Sequence, residues 1–147
     1  MKTVNDMLRD KGHSVWSVAP DATVFEALEL MAAKNVGAVL VLDGDRLVGI
    51  MSERDYARKV TLLGKTSRDT RVSEIMTSRV LYVSADQTIQ ECMALMTEKR
   101  IRHLPVMEGD GVIGVVSIGD VGRAIISDQQ FMLDQLEQYI TGSGSHS

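Results

Sequence analysis

One stretch of this chain is written twice. Gly49-Ile50-Met51-Ser52-Glu53-Arg54-Asp55 returns as Gly114-Val115-Val116-Ser117-Ile118-Gly119-Asp120, which sets Asp55 and Asp120 65 positions (120 − 55) apart. Each copy reads as a short apolar strand, a hydroxyl, and a carboxylate three residues on at the mouth of a helix. The register extends well beyond these residues. Val18-Ala19-Pro20-Asp21-Ala22-Thr23 falls on Val83-Ser84-Ala85-Asp86-Gln87-Thr88, Leu30-Met31 on Leu95-Met96, Gly44-Asp45 on Gly109-Asp110, and Arg58 on Arg123. Upstream, Val4-Asn5-Asp6-Met7-Leu8 matches Val72-Ser73-Glu74-Ile75-Met76 at a spacing of 68 (72 − 4), so the first copy carries extra residues before its strand. A fixed internal period decides architecture before any local pattern does. The chain is one unit built twice.

The order of elements within the unit follows from periodicity. Trp16-Ser17-Val18 and Leu81-Tyr82-Val83 alternate as short strands. Thr23 with Glu26, and Thr88 with Glu91, have the spacing of capping boxes at helix starts. The helices that follow put Val24, Leu28 and Met31, or Ile89, Met93 and Met96, on one face. Continuous apolar runs at 38–42 and 104–107 suit strands buried on both faces. Gly-containing turns then return the chain into strands at 47–51 and 112–116, and second helices are expected at 56–63 and 121–126. The unit is β-α-β-β-α, and the fold class is α/β (α+β). The expected division is a first unit at 4–63, a linker at 64–71 and a second unit at 72–127. An amphipathic helix at 128–141, carrying Phe131, Leu133, Leu136 and Ile140, and a disordered tail at 142–147 complete it.

Composition narrows the function classes. A chain of 147 residues suits one ordinary domain or two small halves sharing a core. The net charge of −4 weighs against a general nucleic-acid binder but leaves room for a local basic pocket. No apolar run approaches the roughly 20 residues of a membrane span, so no membrane partner is expected. The opening Met1-Lys2-Thr3-Val4-Asn5-Asp6 has no signal-peptide core. The lone Cys92 has no partner for an internal disulfide, which makes the cytoplasm the expected location. Cys92 stands where the first unit has Ala27 and reads as a small packed residue. No His/Cys cluster has metal spacing, and no Ser-His-Asp set follows the repeat. Neither an enzyme nor a metal is expected.

Ser52 and Asp55, with their copies Ser117 and Asp120, support two readings. Ser-x-x-Asp before a helix is itself an N-capping pattern. The same hydroxyl and helix start can hold a phosphate, while the carboxylate accepts hydrogen bonds from two ribose hydroxyls. A cap can exchange its partner for a ligand, so the readings are compatible. The basic face Tyr56-Ala57-Arg58-Lys59 reads as solvated surface, and His13 as an exposed loop residue.

Two tandem β-α-β-β-α units, with Leu104-Pro105-Val106 in one central strand and Gly-apolar-x-Ser-x-x-Asp at each return strand, resemble a pair of cystathionine-β-synthase (CBS) domains, a Bateman module. The resemblance runs from Val4 to about Ile126. It implies two units packed with pseudo-twofold symmetry into one compact module, with two clefts for adenosine-containing ligands. It implies a homodimer and a regulatory role toward a protein partner it does not identify. The implied ligand is AMP first, with ADP, ATP, NAD(H) and S-adenosylmethionine sharing the same moiety. Carried across, the Asp120 cleft draws its adenine pocket from Ser14, Trp16 and Val36, with His103 and Ser117 facing phosphate and Arg102 as a second cation. The Asp55 cleft draws on Arg79, Leu81 and Ile101, with Ser52 and Arg54 near phosphate. Gly119 stands where the first copy has Arg54, and Gly37-Ala38 stand where the second has Arg102-His103, so the clefts are unequal. His103 is expected to titrate near its ordinary value, around 6.5. The rival readings are a nucleotide-independent structural or dimerisation module and, less favoured, a nucleic-acid-binding regulator.

Overall fold

A computed structural model describes residues 2–142; of the expected tail at 142–147, residues 143–147 lie outside the described residues. The elements are α1 (Val4–Lys11), β1 (Ser17–Val18), α2 (Val24–Lys34), β2 (Ala38–Asp43), β3 (Arg46–Ser52) and α3 (Glu53–Tyr56). They continue through α4 (Val72–Ile75), β4 (Val83–Ser84), α5 (Ile89–Lys99), β5 (His103–Glu108), β6 (Gly111–Ser117) and α6 (Ile118–Gly142). Two three-stranded sheets result, β1-β2-β3 and β4-β5-β6. In each, a parallel pair precedes an antiparallel hairpin, with Leu40 opposite Ser17 and Ile50, and Val106 opposite Val83 and Gly114. Gly44 and Gly109 close the hairpins at φ 64 and 60, where a side chain would be strained. The central strands bury Val39, Leu40 and Val41, and Leu104, Pro105 and Val106, as their continuous apolar character requires.

The short N-terminal helices change places between the units. Val4, Met7 and Leu8 of α1 pack with Val83, Ile89, Cys92 and Met96 of the second unit. Val72 and Ile75 of α4 pack with Val24, Ala27 and Met31 of the first. Backbone pairing reinforces the exchange: Val4 N–H donates to Gln87 O and Ile89 N–H to Lys2 O, while Val24 N–H donates to Thr70 O and Val72 N–H to Ala22 O. The two repeat glycines on the return strands exist for this packing. A Cβ on Gly114 would stand 2.7 Å from Leu8 Cδ2, and one on Gly49 would collide with the Met76 thioether.

Several local expectations are refined. Thr88 and Glu91 form a reciprocal capping box, whereas Thr23 accepts from Glu26 N–H without the return bond. The first unit's second helix is a short α3 that passes into a π-helical turn at Ala57–Thr61. The expected helices at 121–126 and 128–141 are one continuous helix, α6, because Ser127 is no helix breaker and no proline interrupts the segment. Cys92 is fully buried, and burial with the adjacent Glu91 pushes its thiol up to about 11.

Candidate functional site

The exchange of helices leaves two clefts where β3 and β6 approach each other. One, of about 330 Å³, is lined by Ser14, Trp16, Val36, His103, Ser117 and Asp120. The other, of about 470 Å³, is lined by Ser52, Arg54, Asp55, Arg79, Leu81 and Ile101. The sequence-selected residues thus gather in two groups, one around each repeat carboxylate. Gly37, Ile50 and His103 line both cavities and form the wall between them. Arg102 departs from expectation: it lines the Asp55 cavity rather than the Asp120 cavity. Arg102 sits in the bend just before β5, so it joins His103 at the Asp55 cavity and does not supply the second cation expected in the Asp120 cleft.

Both repeat motifs are helix caps in geometry. Ser52 N–H donates to Asp55 Oδ2 at 2.9 Å, and Asp55 N–H donates to Ser52 Oγ at 3.2 Å. Ser117 N–H donates to Asp120 Oδ2 at 2.8 Å, and Asp120 N–H donates to Ser117 Oγ at 3.1 Å. The capping bonds take one oxygen of each carboxylate and direct the other outward. Asp55 Oδ1 meets Lys59 Nζ at 3.2 Å and accepts from Thr77 Oγ1 at 3.4 Å. Asp120 Oδ1 meets Arg123 at 2.8 Å, and its Oδ2 also takes Lys11 Nζ at 2.6 Å.

These cations lay outside the sequence expectation. Lys11 comes from α1, where the two copies are out of step by the extra residues, so the repeat does not point to it. Lys59 belongs to the basic stretch read as solvated surface, and the π-helical turn carries it instead to Asp55 and to Ile75 O at 3.0 Å. Such turns recur at functional sites. Arg123 was legible only as the copy of Arg58. His13 is exposed as expected, and its Nδ1 lies 2.9 Å from Ile113 O.

Electrostatics sharpen the contrast. Burial works against the charge on Asp120, but hydrogen bonds from Lys11 and the Ser117 amide outweigh it and hold the carboxyl below its ordinary range. Burial, joined by Lys11 and Arg102, pushes the His103 imidazole below its ordinary value, against the opposing pull of Asp120. His103 therefore holds a proton less readily than an ordinary histidine, which departs from the expectation of titration near the usual value.

The arrangement offers, in each cleft, a carboxylate at a helix start, an apolar slot from the opposite unit, and cations at the rim. Comparison with known proteins places it. The family model for the CBS domain matches residues 5–61 and 72–127. A mitochondrial CBS domain-containing protein of Arabidopsis thaliana, CBSX3, is 39% identical over 95% of this chain and 72% of its own length. The structure of a CBS-domain protein from Burkholderia ambifaria MC40-6 superposes with a TM-score of 0.84, at 50% identity over 87% of this chain and 96% of that one. The CBS domain pair of protein MJ0100, solved with 5′-methylthioadenosine and S-adenosyl-L-methionine, shares the fold at a TM-score of 0.76 and 23% identity, covering 87% of this chain and 98% of that one.

Proposed function

We propose that this chain, which belongs to the CBS-domain family as a two-unit regulatory module, binds an adenosine-containing nucleotide in each cleft and signals its occupancy. The observation that carries the reading is the pair of equivalent carboxylates, Asp55 and Asp120. Each stands at a helix start inside a cavity whose other wall comes from the opposite unit. A packing device alone does not need an open cavity beside it. The volumes fall in the range of about 300–1,000 Å³ typical of small-molecule sites. Trp16 and Val36, or Leu81 and Ile101, offer apolar surface to an adenine ring. The carboxylate accepts from the ribose hydroxyls, displacing Lys11 and Arg123 in one cleft and Lys59 beside the other; Lys11 and Arg123, or Arg54 and Arg79, then meet phosphate. AMP is the simplest ligand with these parts. ADP, ATP, NAD(H) and S-adenosylmethionine share the adenosine, and MJ0100 was solved with two compounds of that class.

Signalling has a structural route. Asp120 lies in the first turn of α6, and the same helix carries exposed Phe131, Met132, Leu136 and Ile140. Releasing Lys11 from Asp120 unties α1 from the start of that helix. We assign the exposed face to a second copy of the chain, so that occupancy alters the dimer and, through it, a regulated partner. Mass spectrometry of small molecules released from the denatured protein, followed by titration with the compound found, tests the ligand class. Recovery of no adenosine compound, and no binding of any in titration, would leave the structural-module reading.

A further inference from the structure

We infer that the two clefts sort their ligands by phosphate content: the Asp55 cleft takes a nucleoside di- or triphosphate, and the Asp120 cleft a monophosphate or an uncharged adenosine compound. The inference rests on the nucleotide reading above and goes beyond it. The internal repeat supplies a controlled comparison, because equivalent positions can be set side by side. Arg54, Arg79, Arg100 and Arg102 all line the Asp55 cavity. At a spacing of 65 their counterparts are Gly119, Ser14, Asn35 and Gly37, and all four are uncharged. Of these, Ser14, Asn35 and Gly37 line the Asp120 cavity. The same backbone therefore presents guanidinium groups on one side and neutral groups on the other.

Pairing widens the difference. In the Asp120 cavity the permanent cations are two, Lys11 and Arg123, and both reach phosphate only after ribose displaces them from Asp120. In the Asp55 cavity the carboxylate is met by Lys59, which is not among the lining residues. Among the described residues, no ion pair engages Arg54, Arg79, Arg100 or Arg102, and Glu53 is the other acid on the cavity wall. Arg54 bonds the Arg100 carbonyl at 2.9 Å, which holds that left-handed residue, φ 56, at the cleft edge. Guanidinium forks match phosphate oxygens bidentately, and more phosphates supply more oxygens for them. The Asp55 cavity is also the larger, about 470 against 330 Å³.

The test uses the repeat itself. Arg79→Ser and Arg100→Asn install the counterpart residues of the other cleft, and Asn tolerates the left-handed backbone at position 100. Parent and double variant are titrated by calorimetry with adenosine, AMP, ADP and ATP in magnesium-free buffer. Trp16, the single tryptophan, lines only the Asp120 cavity, so its fluorescence reports that site separately. The expected result is a preference of tenfold or more for ATP over AMP at the site silent to Trp16, collapsing to less than threefold in the double variant. Affinities read by Trp16 should change little with phosphate number. Equal ATP and AMP affinities at the silent site, or an ATP preference that survives the double substitution, would overturn the sorting while leaving nucleotide binding intact. No binding of any of the four compounds at either site would overturn both.

Discussion

Lys11 Nζ lies 2.6 Å from Asp120 Oδ2, across 109 positions of chain. The bond ties the helix that the first unit lends to the second directly to a residue in the first turn of α6. It also helps hold the Asp120 carboxyl below its ordinary range. A carboxylate with a depressed folded-state pKa stabilises the fold above its unfolded value, about 3.9, and that contribution is lost as pH falls through the folded value. Lys11→Met should therefore cost about 1 kcal/mol or less at pH 7, as expected for a partly exposed pair. It should also flatten the fall of stability with acid below about pH 4. Urea titrations from pH 2 to 7 check this, and acid limbs of equal slope in parent and variant would contradict it.

His103 gives a second pH signature of the same sign at a higher pH. Its imidazole faces Lys11 from α1, Arg102 beside it and Asp120 on α6, and burial is the largest influence. Because the folded value lies below the unfolded one, near 6.5, the unfolded chain binds the proton more readily. Stability should decline as pH falls below about 6.5. His103→Gln should remove that decline, and a melting-temperature profile between pH 5 and 8 identical to the parent would count against it.

The repeat glycines predict unequal penalties. Gly114→Ala drives a methyl against the fully buried Leu8 and should cost about 1–3 kcal/mol, the usual range for overpacking. Gly49→Ala meets the half-buried Met76, whose flexible thioether can move aside, and should cost less. Denaturant midpoints for both variants decide the order, and a larger loss at Gly49 would contradict it.

Much of this was legible in the sequence. The strands and the main helices follow from periods that the duplication repeats, so each local pattern has an independent copy. What escaped has specific physical causes. The exchange of α1 and α4 between units depends on tertiary packing of Leu8 and Met76 against glycines far away in sequence. The continuity of α6 past Ser127 was missed because the first unit ends differently, in a π-helical turn with no equivalent in the second. The placement of Arg102 depends on the bend just ahead of β5, which periodicity does not reveal, and Lys11 fell where the copies lose register.

The exposed face of α6 predicts assembly. Phe131 and Ile140 are 62% and 77% exposed, a large apolar surface for a chain of this size to leave in water. Light scattering should show a dimer at micromolar concentration, and Phe131→Glu with Leu136→Glu should shift it toward monomer. A parent monomer under those conditions would refute the assignment of that face to a second copy.

The central claim is that Asp55 and Asp120 hold ribose rather than only cap helices. Each would accept charge-assisted hydrogen bonds worth roughly 1.5–3 kcal/mol apiece. Losing a cap alone would cost about 1 kcal/mol of stability and leave affinity nearly unchanged. Calorimetric titration of Asp55→Ala, Asp120→Ala and the double variant with AMP, alongside melts without ligand, separates the two. The account predicts at least about a tenfold loss at the altered cleft, one decade per 1.4 kcal/mol, and loss of both sites in the double variant. Melts that fall while both affinities stay at the parent value would contradict it.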